Sequence, residues 1–107
     1  MAGSPELLLK SSEGERRIRV ERQRTVLGRS RDADIFIPDQ WLSRMHAEIL
    51  MDRGGLVIAD LGSKNGTLVN GRRLRKKESL SDGDAIVVGP ARLTLRVLRH
   101  AESTKTA

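Results

Sequence analysis

The sequence predicts an all-β fold, either a sandwich or a barrel. Two observations lead to this prediction. Apolar residues alternate with polar ones or form short runs, and no segment keeps the roughly 3.6-residue apolar period of an amphipathic helix. Turn-forming residues separate the apolar segments at intervals of about eight to twelve residues, a spacing typical of all-β domains.

The predicted strands differ in their apolar pattern. Arg17–Glu21 and Arg92–Val97 alternate polar and apolar residues, which predicts half-buried strands with one face in solvent. Thr25–Leu27 is interpreted as the end of a further strand. The remaining segments are short apolar runs suited to the centre of a sandwich, namely Ile35–Ile37, Ile49–Met51, Leu56–Ala59 and Ala85–Val88.

Turn residues connect these strands. Ser11–Gly14, Asp52–Gly55 and Ser81–Gly83 combine glycine with small polar residues, which indicates loops. The pairs Asn65-Gly66 and Asn70-Gly71 are typical of tight turns, because Asn and Gly tolerate positive φ angles.

The composition predicts a single globular domain with an aliphatic core. A chain of 107 residues can bury roughly two thirds of its unfolded surface. Trp41 and Phe36 are the only aromatic residues, so Leu, Ile and Val must fill the core. Cysteine is absent, which excludes disulfides and thiolate metal sites, and we expect neither a metal nor a cofactor. We place the domain at residues 1–99 and a flexible tail at residues 100–107.

The termini and the charge suggest a location and a class of partner. The apolar run Leu7–Leu9 is too short for a secretory signal or a membrane span, so a cytoplasmic protein without a membrane partner is expected. The net charge is +6 and the sequence pI is about 10.7. Nucleic acid, an acidic membrane surface or a phosphorylated protein would all suit such a charge, and composition does not choose among them.

Three motifs favour one of these partners. They are Gly28-Arg29, the segment Ser43–His46 and the segment Asn65–Gly71. Their order and spacing, over most of the chain, resemble the forkhead-associated (FHA) domain. The resemblance implies a β-sandwich of two mostly antiparallel sheets, with binding loops at one end that capture phosphothreonine in partner proteins. It implies recognition in signalling, without catalysis.

The resemblance assigns the phosphate ligands to loop residues. Phosphothreonine carries nearly two negative charges and three acceptor oxygens, and a planar guanidinium can donate two parallel charge-assisted bonds to it. By resemblance, Arg29, Ser43 and Arg44 reach the phosphate. Lys64 departs from the small polar residue common in the family, and we interpret its ammonium group as a third cation of the site.

Other residues are expected to read the peptide or support the loops. The resemblance implies that Asn65 bonds the peptide backbone and that Trp41 neighbours the residue three places after the phosphothreonine. A Trp that plugs the end of the sandwich is an equally weighted alternative. Structural support of the site is assigned to a further set: Gly28, His46, Gly66, Asn70 and Gly71.

Three other functions were weighed against phosphopeptide binding. A nucleic-acid binder would use the basic run at residues 72–77, but the chain lacks an aromatic stacking platform, a recognition-helix motif and zinc-finger spacing. An enzyme is disfavoured, since no P-loop or metal-ligand cluster is present and His46 and His100 are the only imidazoles. A phospho-independent interaction domain remains an alternative. The chain is also expected to be part of a larger multidomain protein.

Overall fold

The fold consists of short β-strands, described for residues 4–98 by a computed structural model. The predicted domain end at residue 99 and the tail at residues 100–107 lie outside this range. The strands are β1 (Ser4–Ser11), β2 (Gly14–Arg19), β3 (Arg24–Gly28), β4 (Ile35–Phe36), β5 (Ala47–Asp52), β6 (Gly55–Asp60), β7 (Leu68–Val69), β8 (Arg72–Arg73), β9 (Glu78–Leu80), β10 (Ala85–Val88) and β11 (Ala91–Leu98). No helix long and apolar enough to cross a membrane occurs within these residues.

The strands form two sheets. The first has the order β2-β1-β11-β10-β7-β8 and the second the order β4-β3-β5-β6-β9. Every pair is antiparallel except β3 with β4. The predicted sandwich of two mostly antiparallel sheets is therefore confirmed.

An aliphatic core lies between the sheets. The inward residues of β1 and β11 pair directly, Leu7 with Leu95 and Leu9 with Leu93, and all four are at most 2% exposed. Ile49 and Ile58 pair on the opposing sheet and are fully buried. Each such side chain contributes about 1.5–3 kcal/mol through burial.

The elements that the sequence did not predict are an N-terminal strand and three very short ones. Leu7–Leu9 lies within β1, which pairs with both β2 and β11 in the first sheet. Strands β7, β8 and β9 contain two or three residues each, too few to show a period. The predicted strand Arg17–Glu21 ends at Arg19, after which the buried Val20 donates its amide to the carbonyl of Pro5.

The loops that carry the candidate site residues include connections between the two sheets. Strand β6 belongs to the second sheet and β7 to the first, so Asn65-Gly66 lies in a connection between sheets and not in a hairpin. Asn70-Gly71 does form the β7–β8 hairpin turn, with φ angles of 51° and 84°. The β3–β4, β4–β5 and β6–β7 loops contact one another through the hydrogen bonds described next.

Candidate functional site

The β3–β4 loop is attached to the β4–β5 loop by backbone hydrogen bonds that also hold Arg29. The amide of Arg29 donates to the carbonyl of Ser43 at 3.0 Å, and the amide of Ser30 donates to the carbonyl of Arg44 at 3.1 Å. The Nε of Arg29 donates to the Leu42 carbonyl at 3.0 Å. Within residues 4–98 its two terminal nitrogens make no hydrogen bond. The guanidinium of Arg29 is thus held in place and can donate further hydrogen bonds.

Gly28 allows this close approach of the two loops. A Cβ at residue 28 would lie 2.0 Å from the carbonyl oxygen of Arg44 and 2.7 Å from its carbonyl carbon. Both are backbone atoms, which cannot rotate away, so any larger residue would push the Ser43-Arg44 segment outward.

The hydroxyl of Ser43 connects the β4–β5 and β6–β7 loops. Its Oγ accepts the backbone amide of Lys64 at 3.0 Å. Because that bond uses a lone pair, the hydroxyl hydrogen stays available for an acceptor. The contact comes from the Lys64 backbone, while the Lys64 side chain is exposed. The side chain of Arg44 is also exposed and, among the described residues, has no hydrogen bond or ion pair.

His46 connects the β4–β5 and β6–β7 loops. Its ring is completely buried, with Nδ1 accepting the amide of Ser43 at 3.1 Å and Nε2 lying 2.8 Å from the carbonyl oxygen of Gly66. An accepting Nδ1 requires the proton on Nε2, which then donates to Gly66. This arrangement occupies both ring nitrogens in structural bonds.

Asp60, which the sequence analysis did not single out, organises the β6–β7 loop. Its Oδ1 accepts the hydroxyls of Ser63 at 2.6 Å and Thr67 at 2.7 Å. Its Oδ2 accepts the amides of Gly62 and Ser63, both at 2.9 Å. The Ser63 hydroxyl in turn accepts the amide of Gly66 at 2.9 Å.

These bonds also determine the charge state of Asp60. Partial burial raises the pKa of its carboxyl, but the hydrogen bonds from Ser63, Thr67 and Gly62 outweigh burial, so the pKa lies below the ordinary Asp value. The sequence does carry a signal for this turn. Gly62 and Ser63 follow Asp60 two and three positions later, and this order is typical of an Asx turn.

Asn65 and Trp41 lie side by side at the rim. The Nδ2 of Asn65 donates to the carbonyl of Trp41 at 2.8 Å, and its amide oxygen accepts no hydrogen bond from any residue that the structure describes. Both Trp41 and Leu42 lie beside Gly89 of the β10–β11 turn, but the Trp41 side chain is 57% exposed, whereas Leu42 is 2% exposed. Leu42 therefore closes this end of the sandwich, and the alternative of Trp41 as the plug is wrong.

The remaining support residues hold the β7–β8 hairpin. Asn70 donates through Nδ2 to Asp84 Oδ1 at 2.9 Å, and its Oδ1 accepts the amide of Ala85 at 2.9 Å. Its positive φ and that of Gly71 are those of a two-residue hairpin turn. Gly66 has a φ of 88°, which only glycine adopts without strain.

The site therefore gathers the predicted residues by a chain of contacts. Arg29 contacts the Ser43 segment, Ser43 contacts Lys64, and Asn65 contacts Trp41. No group of His, Asp or Glu residues suited to hold a metal is present in the described part of the chain. What the loops offer are donors and cations, which suit an anionic group.

Comparison with known proteins identifies the family. The sequence profile of the FHA domain matches residues 25–89. The chain belongs to the FHA family. The oxoglutarate dehydrogenase inhibitor of Corynebacterium diphtheriae is 43% identical over 77 residues, which are 72% of this chain and 53% of that protein. The FHA resemblance inferred from the motifs is thus confirmed.

Solved FHA structures share this fold. One, from work on phosphothreonine-dependent FHA domain interactions, has a TM-score of 0.79 and 35% identity, covering 87% of this chain and 95% of the other. The FHA domain of FhaA, solved in complex with the intracellular domain of another protein, has the same TM-score and identity, covering 87% of this chain and 100% of the other. This FHA domain spans between about half and two thirds of its first curated relatives, 53% to 65% of their length.

Proposed function

We propose that this FHA domain binds proteins phosphorylated on threonine, as a module of a signalling protein. The observation that carries the proposal is the pairing of Arg29 with Ser43. Arg29 is held through its Nε, and within residues 4–98 its two terminal nitrogens and the hydroxyl hydrogen of Ser43 have no hydrogen-bond partner. Charge-assisted bonds from a fixed guanidinium and a hydroxyl are the contacts that a phosphate monoester needs.

Arg44 and Lys64 supply further positive charge. Both side chains are exposed and, within the described residues, neither has an acidic partner. Their charges therefore act on a bound dianion within a Debye length of about 8–10 Å. The Lys64 ammonium remains a proposed third cation, because its backbone amide alone contacts Ser43.

Asn65 and Trp41 read the peptide around the phosphothreonine in this proposal. The free amide oxygen of Asn65 can accept a peptide N–H without regard to the side chain that follows it. Trp41 and Met45 are the exposed large apolar residues of the described chain, at 57% and 40%. We assign to Trp41 the preference at the third residue after phosphothreonine, through packing or a cation–π contact.

The role proposed is binding without catalysis. His46 uses both ring nitrogens in structural bonds, so it has none left to act as a base. The greater length of the curated relatives supports a parent protein with additional segments. The cytoplasm is the proposed location, and a chain with no cysteine is compatible with such a reducing compartment.

The test is a titration of the domain with matched peptide pools, followed by the fluorescence of Trp41 and by calorimetry. The pools carry phosphothreonine, phosphoserine or unmodified threonine at one fixed position. We expect saturable binding of the phosphothreonine pool, with Arg29→Ala and Ser43→Ala each lowering affinity about tenfold or more, as expected for bonds to a charged group. Arg19→Ala removes an exposed arginine of β2 that forms no hydrogen bond or ion pair within residues 4–98, serves as a matched control and leaves affinity unchanged.

Two outcomes would contradict the proposal. Equal binding of phosphorylated and unmodified pools would indicate a phospho-independent interaction domain. Binding that survives both Arg29→Ala and Ser43→Ala in folded protein would place the phosphate elsewhere on the basic surface.

A further inference from the structure

The β7–β8 hairpin places an additional arginine beside the site. Arg73 pairs with Leu68 across the hairpin, and the amide of Leu74 donates to the carbonyl of Thr67 at 2.9 Å. The Asn70-Gly71 turn closes the hairpin and sets this register. The backbone of Arg73 is therefore fixed close to the end of the β6–β7 loop, which carries Asn65.

The guanidinium of Arg73 lies flat on Gly66. A Cβ built on Gly66 would lie 3.0 Å from Cζ, 3.1 Å from Nε and 3.2 Å from Nη2 of Arg73. Because Cζ is nearest and the two nitrogens are almost as near, the glycine faces the plane of the guanidinium and not its edge. Gly66 directly follows Asn65, so the guanidinium lies against the residue whose Cα is about 3.8 Å from that of Asn65.

Arg73 differs from its neighbour Arg72 in its partners. It has no acidic partner and no hydrogen bond within residues 4–98, whereas its neighbour Arg72 forms a bidentate pair with Glu78 at 3.0 and 3.2 Å. The hydrogen bonds and charge of this pair raise the pKa of Arg72 and, against slight desolvation, lower that of Glu78. The charge of Arg72 is thus compensated by Glu78, whereas Arg73 can bind an anion.

Cations of the hairpin and of the segment that follows it line a common cleft. The cleft has a volume of about 540 Å³ and is lined by Arg72, Arg73, Arg75, Lys76 and Glu78. Arg75 and Lys76 are exposed and, like Arg73, form no ion pair with a described residue. After the Arg72–Glu78 pair cancels, three positive charges remain beside a site that already has its own cations for one phosphate.

We propose that this cleft is a second anion subsite, led by Arg73, for another acidic group of the same bound peptide. The inference rests on the proposed function, since the phosphothreonine anchors the peptide beside Asn65. The group is a carboxylate of Asp or Glu or a second phosphate, either of which a guanidinium binds through parallel N–H bonds.

The experiment scans a second charge along the peptide. A phosphothreonine peptide that binds the wild-type domain is made with Glu, or with phosphoserine, at each of the three positions on either side, and each is compared with its Gln or Ser twin. We expect one region of the peptide to gain about two- to fivefold from Glu, the range of an exposed charge pair. A larger gain from phosphoserine than from Glu identifies a second phosphate as the preferred group, and equal gains identify a carboxylate.

Variants locate the source of the gain. Arg73→Gln should remove it while leaving the singly phosphorylated peptide within about twofold of wild type, and Arg75→Gln with Lys76→Gln should reduce it. Arg19→Gln removes one exposed charge from β2, five strands or about 24 Å away along the sheet, and should leave the gain intact. Urea midpoints of all variants confirm that they are folded.

The outcomes separate the two proposals. If no phosphopeptide binds, the proposed function fails. If the singly phosphorylated peptide binds but no second charge improves affinity, the subsite is wrong and the proposed function stands. A gain that survives Arg73→Gln, or an equal loss for both members of each peptide pair, would also overturn the role of Arg73.

Discussion

Removing the carboxylate of Asp60 should loosen the β6–β7 loop and destabilise the domain measurably. The carboxylate accepts four hydrogen bonds, two from the hydroxyls of Ser63 and Thr67 and two from the amides of Gly62 and Ser63. Asp60→Ala removes all four acceptor contacts. Asp60→Asn keeps the shape and one acceptor oxygen.

The size of the lost stability depends on which of the four donors can form a hydrogen bond with water instead. The amide of Gly62 lies at an exposed residue and can be hydrated, but Thr67 is 0% exposed and its hydroxyl would lose its partner. An unsatisfied buried polar group costs about 1–3 kcal/mol, and the lost bonds to a charged acceptor add to it. We expect Asp60→Ala to lower the free energy of unfolding by about 2–4 kcal/mol, out of the 5–15 kcal/mol typical of a domain, and Asp60→Asn by roughly half as much.

The assay is urea unfolding at pH 7, with the midpoint of Asp60→Ala expected to fall by about 1–2 M. Repeating it with wild type and Asp60→Asn down to pH 3 tests the charge. Because folding lowers the pKa of Asp60, its stabilisation is complete above the unfolded value of about 3.9 and is lost as pH falls through the folded value. The difference between wild type and Asp60→Asn should therefore be constant from pH 7 to 5 and shrink below about pH 4. A loss under about 0.5 kcal/mol for Asp60→Ala, or a difference that grows in acid, would refute the reasoning.

Two further predictions concern the loop contact and the ligand. Gly28→Ala should cost at least about 2 kcal/mol, because its Cβ would lie 2.0 Å from the Arg44 carbonyl oxygen. The control Gly71→Ala meets no atom within 4 Å and should cost only about 1 kcal/mol, from its φ of +84°; equal costs by urea unfolding would disprove the steric account. Affinity for a phosphothreonine peptide should weaken as pH falls from 7.5 to 5.5, since the phosphate loses a charge near its second pKa of about 6. Calorimetry at each pH measures this, and a flat profile in protein that stays folded would count against a site that reads the dianion.

The predicted fold depended on local patterns that the structure preserves. The runs Ile49–Met51, Leu56–Ala59 and Ala85–Val88 lie in β5, β6 and β10, because central strands need apolar side chains whatever their neighbours. Strand β7 could not be foreseen in this way. Two residues show no period, and Leu68–Val69 is a strand only because β10 pairs with it on one side and β8 on the other.

The residues of the candidate site likewise divide into those that the sequence identified and those that only the structure revealed. The motif residues Arg29, Ser43 and Asn65 were identified in the chain because their types and spacing resemble the FHA pattern. Asp60 and the Leu42 carbonyl were not, since their importance lies in the partners that the fold brings to them.

By itself, then, the sequence determined the all-β class of the fold and the aliphatic core, since both follow from side-chain chemistry and short-range order, while its resemblance to the FHA pattern supplied the candidate anion-binding residues. Only the tertiary structure decided that Trp41 is exposed while Leu42 plugs the sandwich, and that Arg73 lies on Gly66 while Arg72 is neutralised by Glu78. Adjacent residues of similar chemistry face opposite ways on a strand or loop. Their environments are therefore set by what the other sheet and the neighbouring loops place against them.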